Sequence, residues 1–379
     1  MTKDSKLIIA RYGEIHLKGD NRGFFLKALK DNLEQKLKMK VSVADSRVVV
    51  KSNDENIAKQ IADTFGIVSV SMATKVASDY DKIMEHLATI KITGSFKVEV
   101  NRADKRFPYK SPEFARIAGA QIFNANKDVV VNLENPDNTI SIDIRDNGTY
   151  IYEKTIAGVG GLPVGTAGRA LVMLSGGIDS PVSAWLAAKR GLALEYIHFY
   201  SPPYTSAFAL EKVKDLARKL ENYCGDAKLH IVPFTQIQDA IRNSCNEEYM
   251  ITLMRRFMVR ITEQLAINRG LDCIITGENL SQVASQTVQS ITSNDICAVH
   301  LPILRPLITF DKIDIVKIAK QIDTYQTSIQ PHLDCCTVFI PKRPSIKPNL
   351  KKVEEEEAKL NVTELINKAM NSIWHEQIS

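Results

Sequence analysis

The sequence lacks any apolar stretch approaching the ~18 residues needed to span a bilayer. At its amino terminus, Leu7–Ala10 is the only apolar block, and it is too short for the core of a secretory signal. These absences predict a cytoplasmic protein without a membrane partner. The 379 residues exceed what one hydrophobic core usually serves, so we expect two or three domains.

Cysteine is also scarce. Six cysteines are spread along the chain without a C-x-x-C pair, so neither a disulfide scaffold nor a zinc site with separated ligands is expected. We therefore predict reduced thiols and no metal held by a cluster of protein side chains.

A third absence concerns a glycine-containing loop. The apolar segment 170–174 predicts a buried strand, and SGGIDS follows it at 175–180. Gly176 and Gly177 allow a sharp turn that presents backbone N–H groups, while Ser180 as N-cap and Pro181 as first residue predict the start of a helix. Such a turn binds phosphate. The loop nevertheless lacks the lysine of G-x-x-x-x-G-K-[ST], which contacts the β- and γ-phosphates.

The pattern of apolar residues divides the chain into four segments. Residues 1–53 and 54–157 are predicted to be small α+β domains, and the first includes an alternating strand over Val41–Val50. Residues 158–169 form a glycine-rich linker, in which Pro163 occupies a position that G-x-G-x-x-G requires to be glycine. In 170–379, strands alternate with helices, including a long helix over 239–268 and one closing helix in the tail. This alternation predicts a parallel sheet with helices on both faces.

Basic residues are concentrated in the first half of the chain. Residues 1–51 carry 12 Lys/Arg against 6 Asp/Glu. A second cluster is interleaved with Phe107 and Tyr109, whose rings could stack on bases. It consists of Lys97, Arg102, Lys105, Arg106 and Lys110. A solvated surface is the alternative for either patch alone, but two patches favour nucleic acid binding.

The SGGIDSP stretch resembles the S-G-G-x-D-S loop of the PP-loop ATP pyrophosphatases. This resemblance implies that ATP and Mg²⁺ are bound, and that the loop holds the pyrophosphate end while a substrate oxygen attacks the α-phosphate. A loop without the lysine suits this chemistry. Asp179 would position the metal or the polyphosphate, with helix capping as its alternative role.

The whole chain resembles the tRNA 4-thiouridine synthetases, or tRNA uridine 4-sulfurtransferases. The similar stretches, in order, are RYGEIHLKGDNRGFF, FKVEVNRADKRFP, VMLSGGIDSPVSAW, HFYSPPYTS, LMRRFM, ITGENLSQVASQT and DCCTVFIPKRP. The resemblance implies a ferredoxin-like domain, an RNA-binding THUMP domain and an α/β PP-loop domain. Because the chain ends at Ser379, we expect the form without a rhodanese domain.

The resemblance also implies a set of nucleotide contacts. They are Met173, Leu174, Ser175, Gly176, Gly177, Asp179, Ser180, His198, Phe199, Arg255, Gly277 and Gln286. From the residues alone, His198 could be a packed core histidine, Arg255 a surface cation and Gly277 a plain turn.

The active-site cysteine implied by the resemblance is Cys336, with Cys335 as the alternative; nearby Lys342 and Arg343 favour the reactive thiolate. The expected reaction converts a tRNA uridine to 4-thiouridine through an adenylated base and a cysteine persulfide. Without a rhodanese domain, a cysteine desulfurase would load Cys336 directly. Some relatives form homodimers or supply sulfur for thiamine, and both properties stay open here. A small-molecule PP-loop adenylating ligase is the alternative function.

Overall fold

The computed structural model describes residues 5–44, 46–332, 339 and 344–378. The chain divides into two compact units, Met1–Pro163 and Val164–Ser379. Within these described ranges, no helix is both long enough and apolar enough to cross a membrane.

The described part of the first unit contains one nine-stranded sheet and four α-helices. The strands are β1 Ser5–Tyr12, β2 Ser42–Ala44, β3 Arg47–Val50, β4 Ile67–Val76, β5 Gly94–Arg102, β6 Val129–Val131, β7 Asn138–Arg145, β8 Gly148–Tyr152 and β9 Thr155–Ala157. The helices are α1 Arg22–Leu37, α2 Glu55–Ala62, α3 Tyr80–Leu87 and α4 Ser111–Ala125. The strand order is β2-β3-β1-β4-β8-β7-β5-β6, and β9 also pairs with β4.

The prediction of one strand over Val41–Val50 is wrong in one respect, because two strands form a hairpin in this segment. Its strands β2 and β3 are antiparallel, and Ser46 between them has a positive φ of 60°. Val48 and Val50 face the core under α1, where Leu29 and Leu33 are also fully or almost fully buried. The alternating pattern therefore identified the buried face of the hairpin but missed its turn.

The described part of the second unit contains a six-stranded sheet covered by helices. Its strands are β10 Arg169–Met173, β11 Ala193–Tyr200, β12 Ala227–Pro233, β13 Cys273–Ile275, β14 Ile303–Leu304 and β15 Trp374–Ile378. Its helices are α5 Asp179–Lys189, α6 Ala207–Cys224, α7 Thr235–Ser244, α8 Met250–Asn268, α9 Val288–Asp295, α10 Lys312–Gln321, α11 Tyr325–Ser328, α12 Leu350–Glu357 and α13 Val362–Asn371. The order β14-β13-β10-β11-β12-β15 confirms the predicted parallel sheet, to which β15 adds an antiparallel edge.

Two predicted helices of this unit are interrupted. The helix predicted over 239–268 breaks between α7 and α8, where Cys245 is extended and the Asn246 side chain accepts a hydrogen bond from the Glu248 backbone N–H at 3.1 Å. The tail, which was predicted to be a single closing helix, instead forms α12, α13 and the strand β15. The Asn361 side chain caps the new helix that begins at α13. Local capping by asparagine overrides the apolar periodicity at both places.

A buried ion-pair cluster attaches the tail to the core of this unit. The Glu357 carboxylate of α12 accepts hydrogen bonds from Arg256 at 3.0 and 2.8 Å and from Arg260 at 2.6 and 2.8 Å. Burial alone raises the pKa of Glu357, but the bonds from the two arginines outweigh burial and hold the pKa below its ordinary value.

Replacing Glu357 with Ala should therefore destabilise the protein by about 3–5 kcal/mol, because two guanidinium groups lose their buried partner. The measurement is urea unfolding at neutral pH. The exposed Glu355→Ala on the same helix is the control, with a change within about 0.5 kcal/mol.

Because the pKa of Glu357 is lowered in the folded state, its contribution is present at neutral pH and is lost as the pH falls through that lowered value. The difference between wild type and Glu357→Ala should thus shrink in acid. Equal stabilities at neutral pH would contradict a stabilising role for this cluster.

Candidate functional site

The glycine-containing loop leaves β10 and folds back on the first turn of α5. The Ser180 hydroxyl accepts a hydrogen bond from the Ser175 backbone N–H at 2.9 Å and lies 3.0 Å from the Ser175 hydroxyl. The Gly177 N–H donates to the Ser175 hydroxyl at 3.3 Å. The predicted N-cap role of Ser180 is wrong, because α5 already begins at Asp179. Ser180 instead fixes the loop from inside the first turn.

Gly277, which follows β13, packs directly against this turn. A Cβ atom on Gly277 would lie 2.7 Å from the Ser180 nitrogen and 2.9 Å from its Cα. These are backbone atoms that cannot rotate away. Glycine is therefore required here for close approach, and the plain-turn interpretation of this residue is insufficient.

The Asp179 carboxylate is bound by two side chains from elsewhere in the sequence. Its Oδ1 pairs with the Lys312 ammonium of α10, and its Oδ2 accepts a hydrogen bond from the Gln282 amide at 2.7 Å. A cation thus lies beside the loop although the loop itself contains none. The sequence analysis missed Lys312, whose only signal was its place at the start of a helix that follows a strand of the parallel sheet.

Arg255 of α8 reaches the same region through a buried acidic partner. The Glu278 carboxylate pairs with Arg255 and accepts hydrogen bonds from Arg305 at 2.7 Å and from the Thr276 hydroxyl at 3.1 Å. Burial alone raises the pKa of Glu278, but the two arginines outweigh burial and lower the pKa. The Arg255 Nε is buried and has no hydrogen-bond partner among the described residues. Arg255 is therefore not a plain surface cation.

His198 lies at the end of β11. Its buried ring places Nδ1 3.0 Å from the Leu174 carbonyl oxygen, which ties β11 to the start of the loop. This contact fixes the orientation of the ring from its Nδ1 side.

One cavity lies at the carboxyl ends of these strands. The predicted nucleotide residues that line it are Met173, Leu174, Ser175, Gly177, Asp179, Ser180, His198, Phe199, Arg255, Gly277 and Gln286. Gly176 belongs to the same loop but is not a lining residue. Ile197, Met258, Thr276 and Glu278 also line the cavity and were not predicted. The position at the start of α5, the close approach of Gly277 and the unpartnered Arg255 Nε fit a polyphosphate ligand. The nucleotide contacts themselves stay predictions.

Cys335 and Cys336 lie outside the described residues. Described residues before them contact the site, since the Ser328 hydroxyl donates to the Gly177 carbonyl at 3.2 Å. Lys212 of α6 donates to the Gln330 carbonyl at 3.0 Å. Phe339, beyond them, packs edge-on against Tyr204 with ring centroids 4.7 Å apart.

The predicted RNA-binding cluster of the first unit is partly occupied by internal contacts. Lys97 pairs with Glu99 at 2.7 Å, and Arg106 pairs with Asp104 at 2.9 Å. Two other members donate hydrogen bonds to backbone carbonyls and not to carboxylates: Arg102 to Phe107 and Lys105 to Arg102. Lys110 is exposed.

The proposed stacking of Phe107 on bases is wrong, because its ring is buried in the core beside Phe114. Tyr109 is half-buried against Tyr80, with ring centroids 5.4 Å apart.

Replacing Gly277 with Ala should displace the loop, because the added Cβ meets the Ser180 backbone. We expect a loss of about 1–3 kcal/mol in urea unfolding and weaker ATP binding by calorimetry. Gly23→Ala on α1, where an added Cβ meets nothing within 4 Å, is the control: it should leave ATP binding unchanged and raise the stability by at most about 1 kcal/mol. Unchanged ATP binding by Gly277→Ala would show that the close approach is not needed.

Replacing Lys312 with Gln should weaken ATP binding about tenfold, because the site loses a charge-assisted contact for phosphate. Lys317→Gln, at an exposed position on the same helix, is the matched control. Equal affinity of both variants for ATP in calorimetry would remove Lys312 from the site.

Family models match three successive parts of the chain. Residues 165–362, more than half of the chain, match the model described as thiamine biosynthesis protein (ThiI). Residues 7–71 match the ThiI ferredoxin-like domain, and residues 80–153 match the THUMP domain.

Similar sequences and structures extend over nearly the full length. A probable tRNA sulfurtransferase of Geobacillus thermodenitrificans is 46% identical, covering 96% of this chain and 94% of that protein. One of Brevibacillus brevis is 44% identical, covering 98% and 96%. A 4-thiouridine synthetase solved in complex with RNA and bound ATP is 35% identical with a TM-score of 0.91, covering 99% of this chain and 100% of that one. The expected resemblance is confirmed: the chain belongs to the tRNA sulfurtransferase family, with a ferredoxin-like domain and a THUMP domain before its PP-loop domain.

Proposed function

We propose that this protein is an ATP-dependent tRNA sulfurtransferase that converts a uridine of tRNA to 4-thiouridine. The observation that carries the proposal is the cavity at the lysine-free loop, which gathers all but one of the predicted nucleotide residues. The full-length similarity to a 4-thiouridine synthetase crystallised with RNA and ATP supports the same assignment.

The first step is adenylation of the base. The uridine O4 attacks the α-phosphorus of ATP, a new O4–P bond forms, the bond to the β-phosphate breaks and pyrophosphate leaves. Backbone N–H groups of the loop, together with Lys312 and Arg255, would stabilise the negative charge of the leaving phosphates. This activation is needed because a carbonyl oxygen is a poor leaving group.

The second step replaces oxygen by sulfur. The terminal sulfur of a Cys336 persulfide attacks C4, and AMP leaves with the former O4. A second thiol, from Cys335 or elsewhere, then attacks the Cys336 sulfur, so that a disulfide forms and the thiolated base is released. A cysteine desulfurase would supply the persulfide sulfur. Ser328, which precedes the cysteine pair in the sequence, donates its hydroxyl to the Gly177 carbonyl of the loop.

Mg²⁺ was expected from the resemblance, but the described side chains offer it no ready site. Both Asp179 oxygens are bound by Lys312 and Gln282. No group of three or more His, Cys, Asp or Glu in the described ranges could hold a metal ion. A role for Mg²⁺ as counter-ion of the nucleotide phosphates stays a prediction.

The first unit would hold the tRNA. Its matches to the ferredoxin-like and THUMP models support this role, as do the exposed Lys105 and Lys110. A homodimer and a contribution to thiamine synthesis also remain predictions. The contribution to thiamine synthesis rests on the name of the family model.

The function is tested by pyrophosphate release from ATP with and without unmodified tRNA. Stimulation by tRNA supports the proposal, whereas stimulation only by a small acid or nucleotide would indicate the alternative adenylating ligase.

Replacing Cys336 with Ser should abolish 4-thiouridine formation while tRNA-dependent pyrophosphate release continues, because the sulfur step follows adenylation. Thiolated nucleosides are measured by mass spectrometry after digestion. Cys245→Ser is the control and should retain thiolation. In the wild type, the Cys245 thiol donates to the Glu356 carbonyl. Full thiolation by Cys336→Ser would refute the assigned sulfur carrier.

A further inference from the structure

Four arginines meet in the first unit, and Arg145 among them lies on β7, the strand that pairs with the β5 strand of Lys97 and Arg102. This arginine cluster consists of Arg11 on β1, Arg22 at the start of α1, Arg47 on β3 and Arg145 at the end of β7. The side chains of Arg47 and Arg145 are only 15% and 11% exposed. Charged groups so deeply placed normally have counter-ions.

A single carboxylate, Asp143, pairs with the arginine cluster in the described part of the chain. It lies 3.3 Å from Arg47 Nη2 and 2.9 Å from Arg145 Nε. Arg11 instead donates to the hydroxyls of Ser69 and Ser71 at 3.3 and 3.1 Å.

Arg22 donates to the hydroxyls of Tyr12 and Ser46. The four guanidinium groups and one carboxylate leave a large excess of positive charge; Asp45, outside the described residues, is not counted.

Several donors of the arginine cluster are unused. Arg11 Nη2, Arg22 Nε and Arg47 Nε are buried and have no hydrogen-bond partner among the described residues. Such groups cost free energy until an acceptor binds them.

Repulsion between the positive groups of the arginine cluster also contributes to lowered pKa values. Burial, followed by the charge of Arg145, lowers the pKa of Arg47. Burial, followed by Arg22 and Arg47, lowers the pKa of His16. The unused donors and the repulsion together favour the binding of an anion at the arginine cluster.

Two aromatic rings orient the arginine cluster. The Arg11 guanidinium lies 4.7 Å from the Tyr152 ring centroid, and that of Arg22 lies 5.6 Å from the Tyr12 centroid. Contact with a ring engages the face of a guanidinium group and leaves its N–H edges for acceptors. The planar N–H fork of arginine matches the oxygens of phosphate.

We infer that the arginine cluster binds a phosphate group of the RNA substrate. This inference rests on the proposed function for the identity of the RNA. A bound phosphate would accept hydrogen bonds from the partly exposed edges of the guanidinium groups and cancel the repulsion between these groups. Lys97 and Arg106 each pair with a carboxylate of their own, whereas Arg47 and Arg145 share Asp143. Three of the four arginines of the arginine cluster, Arg11, Arg22 and Arg47, belong to the basic segment 1–51.

The test is the binding of unmodified tRNA to the full chain over a range of salt concentrations, by fluorescence anisotropy. Arg11→Gln and Arg47→Gln should each weaken binding about tenfold at low salt and reduce the slope of log affinity against log salt by about 1. Lys59→Gln, which removes one exposed positive charge on α2, is the control and should change neither value.

Two forms of the tRNA identify the source of the phosphate. Equal losses for tRNA with a 5′-phosphate and with a 5′-hydroxyl assign a backbone phosphate, and a loss confined to the 5′-phosphorylated form assigns the terminal one. Either result supports the inference. Unchanged affinity and salt slope in both folded variants would overturn it.

Inorganic phosphate provides a measurement that is independent of RNA. It should raise the melting temperature of the wild type more than that of Arg11→Gln at equal ionic strength. Stabilisation through the arginine cluster without any effect on tRNA affinity would assign the site to free phosphate and overturn the RNA assignment.

Failure of the proposed function is distinguished by its own assay. It would appear as wild-type protein that releases no pyrophosphate in response to tRNA, whatever the binding results. Arg11→Gln keeps the binding test valid if Arg47→Gln does not fold, because Arg11 hydrogen-bonds to hydroxyls and not to Asp143.

Discussion

The backbone of Gly277 packs on the first turn of α5, and this contact constrains the geometry of the nucleotide loop. The loop must turn sharply after β10 and lead into the start of α5, where an anion is favoured. The Ser175–Ser180 hydrogen bonds hold it from inside, and Gly277 supports it from the neighbouring strand. Both supports exist because parallel strands end at one edge of the sheet, where successive connections converge.

Charge is handled differently in the two units. In the second unit, the cations beside the loop are balanced, since Lys312 pairs with Asp179 and Arg255 with Glu278. Such pairs hold long side chains in place in the absence of ligand, and a polyphosphate can then compete for the cations. In the first unit, the arginine cluster shares Asp143 and retains unused donors. The first arrangement favours orientation of the cations, and the second favours capture of an anion.

Predictions from sequence succeeded where short-range patterns decide the structure. Strand β10, the glycine turn and helix α5 follow directly from an apolar block, two glycines and a helix start. Predictions from sequence were less accurate where a single polar side chain ends a periodic pattern, as Asn246 and Asn361 do. Phe107 shows a further limit, because an aromatic residue among lysines has the same pattern whether its ring is buried or exposed.

The sequence by itself determined the family, the parallel α/β architecture and the residues of the loop, because these depend on motif order and local periodicity. Only the tertiary structure brought Lys312 and Gln282 to Asp179 and set Glu278 between two arginines. It also brought Arg47 and Arg145 to one carboxylate, Asp143, with Arg11 close enough to Arg47 for their charges to interact. These groups are far apart in the chain, and their charges interact only after sheet pairing closes the distance between them, so no local pattern predicts them.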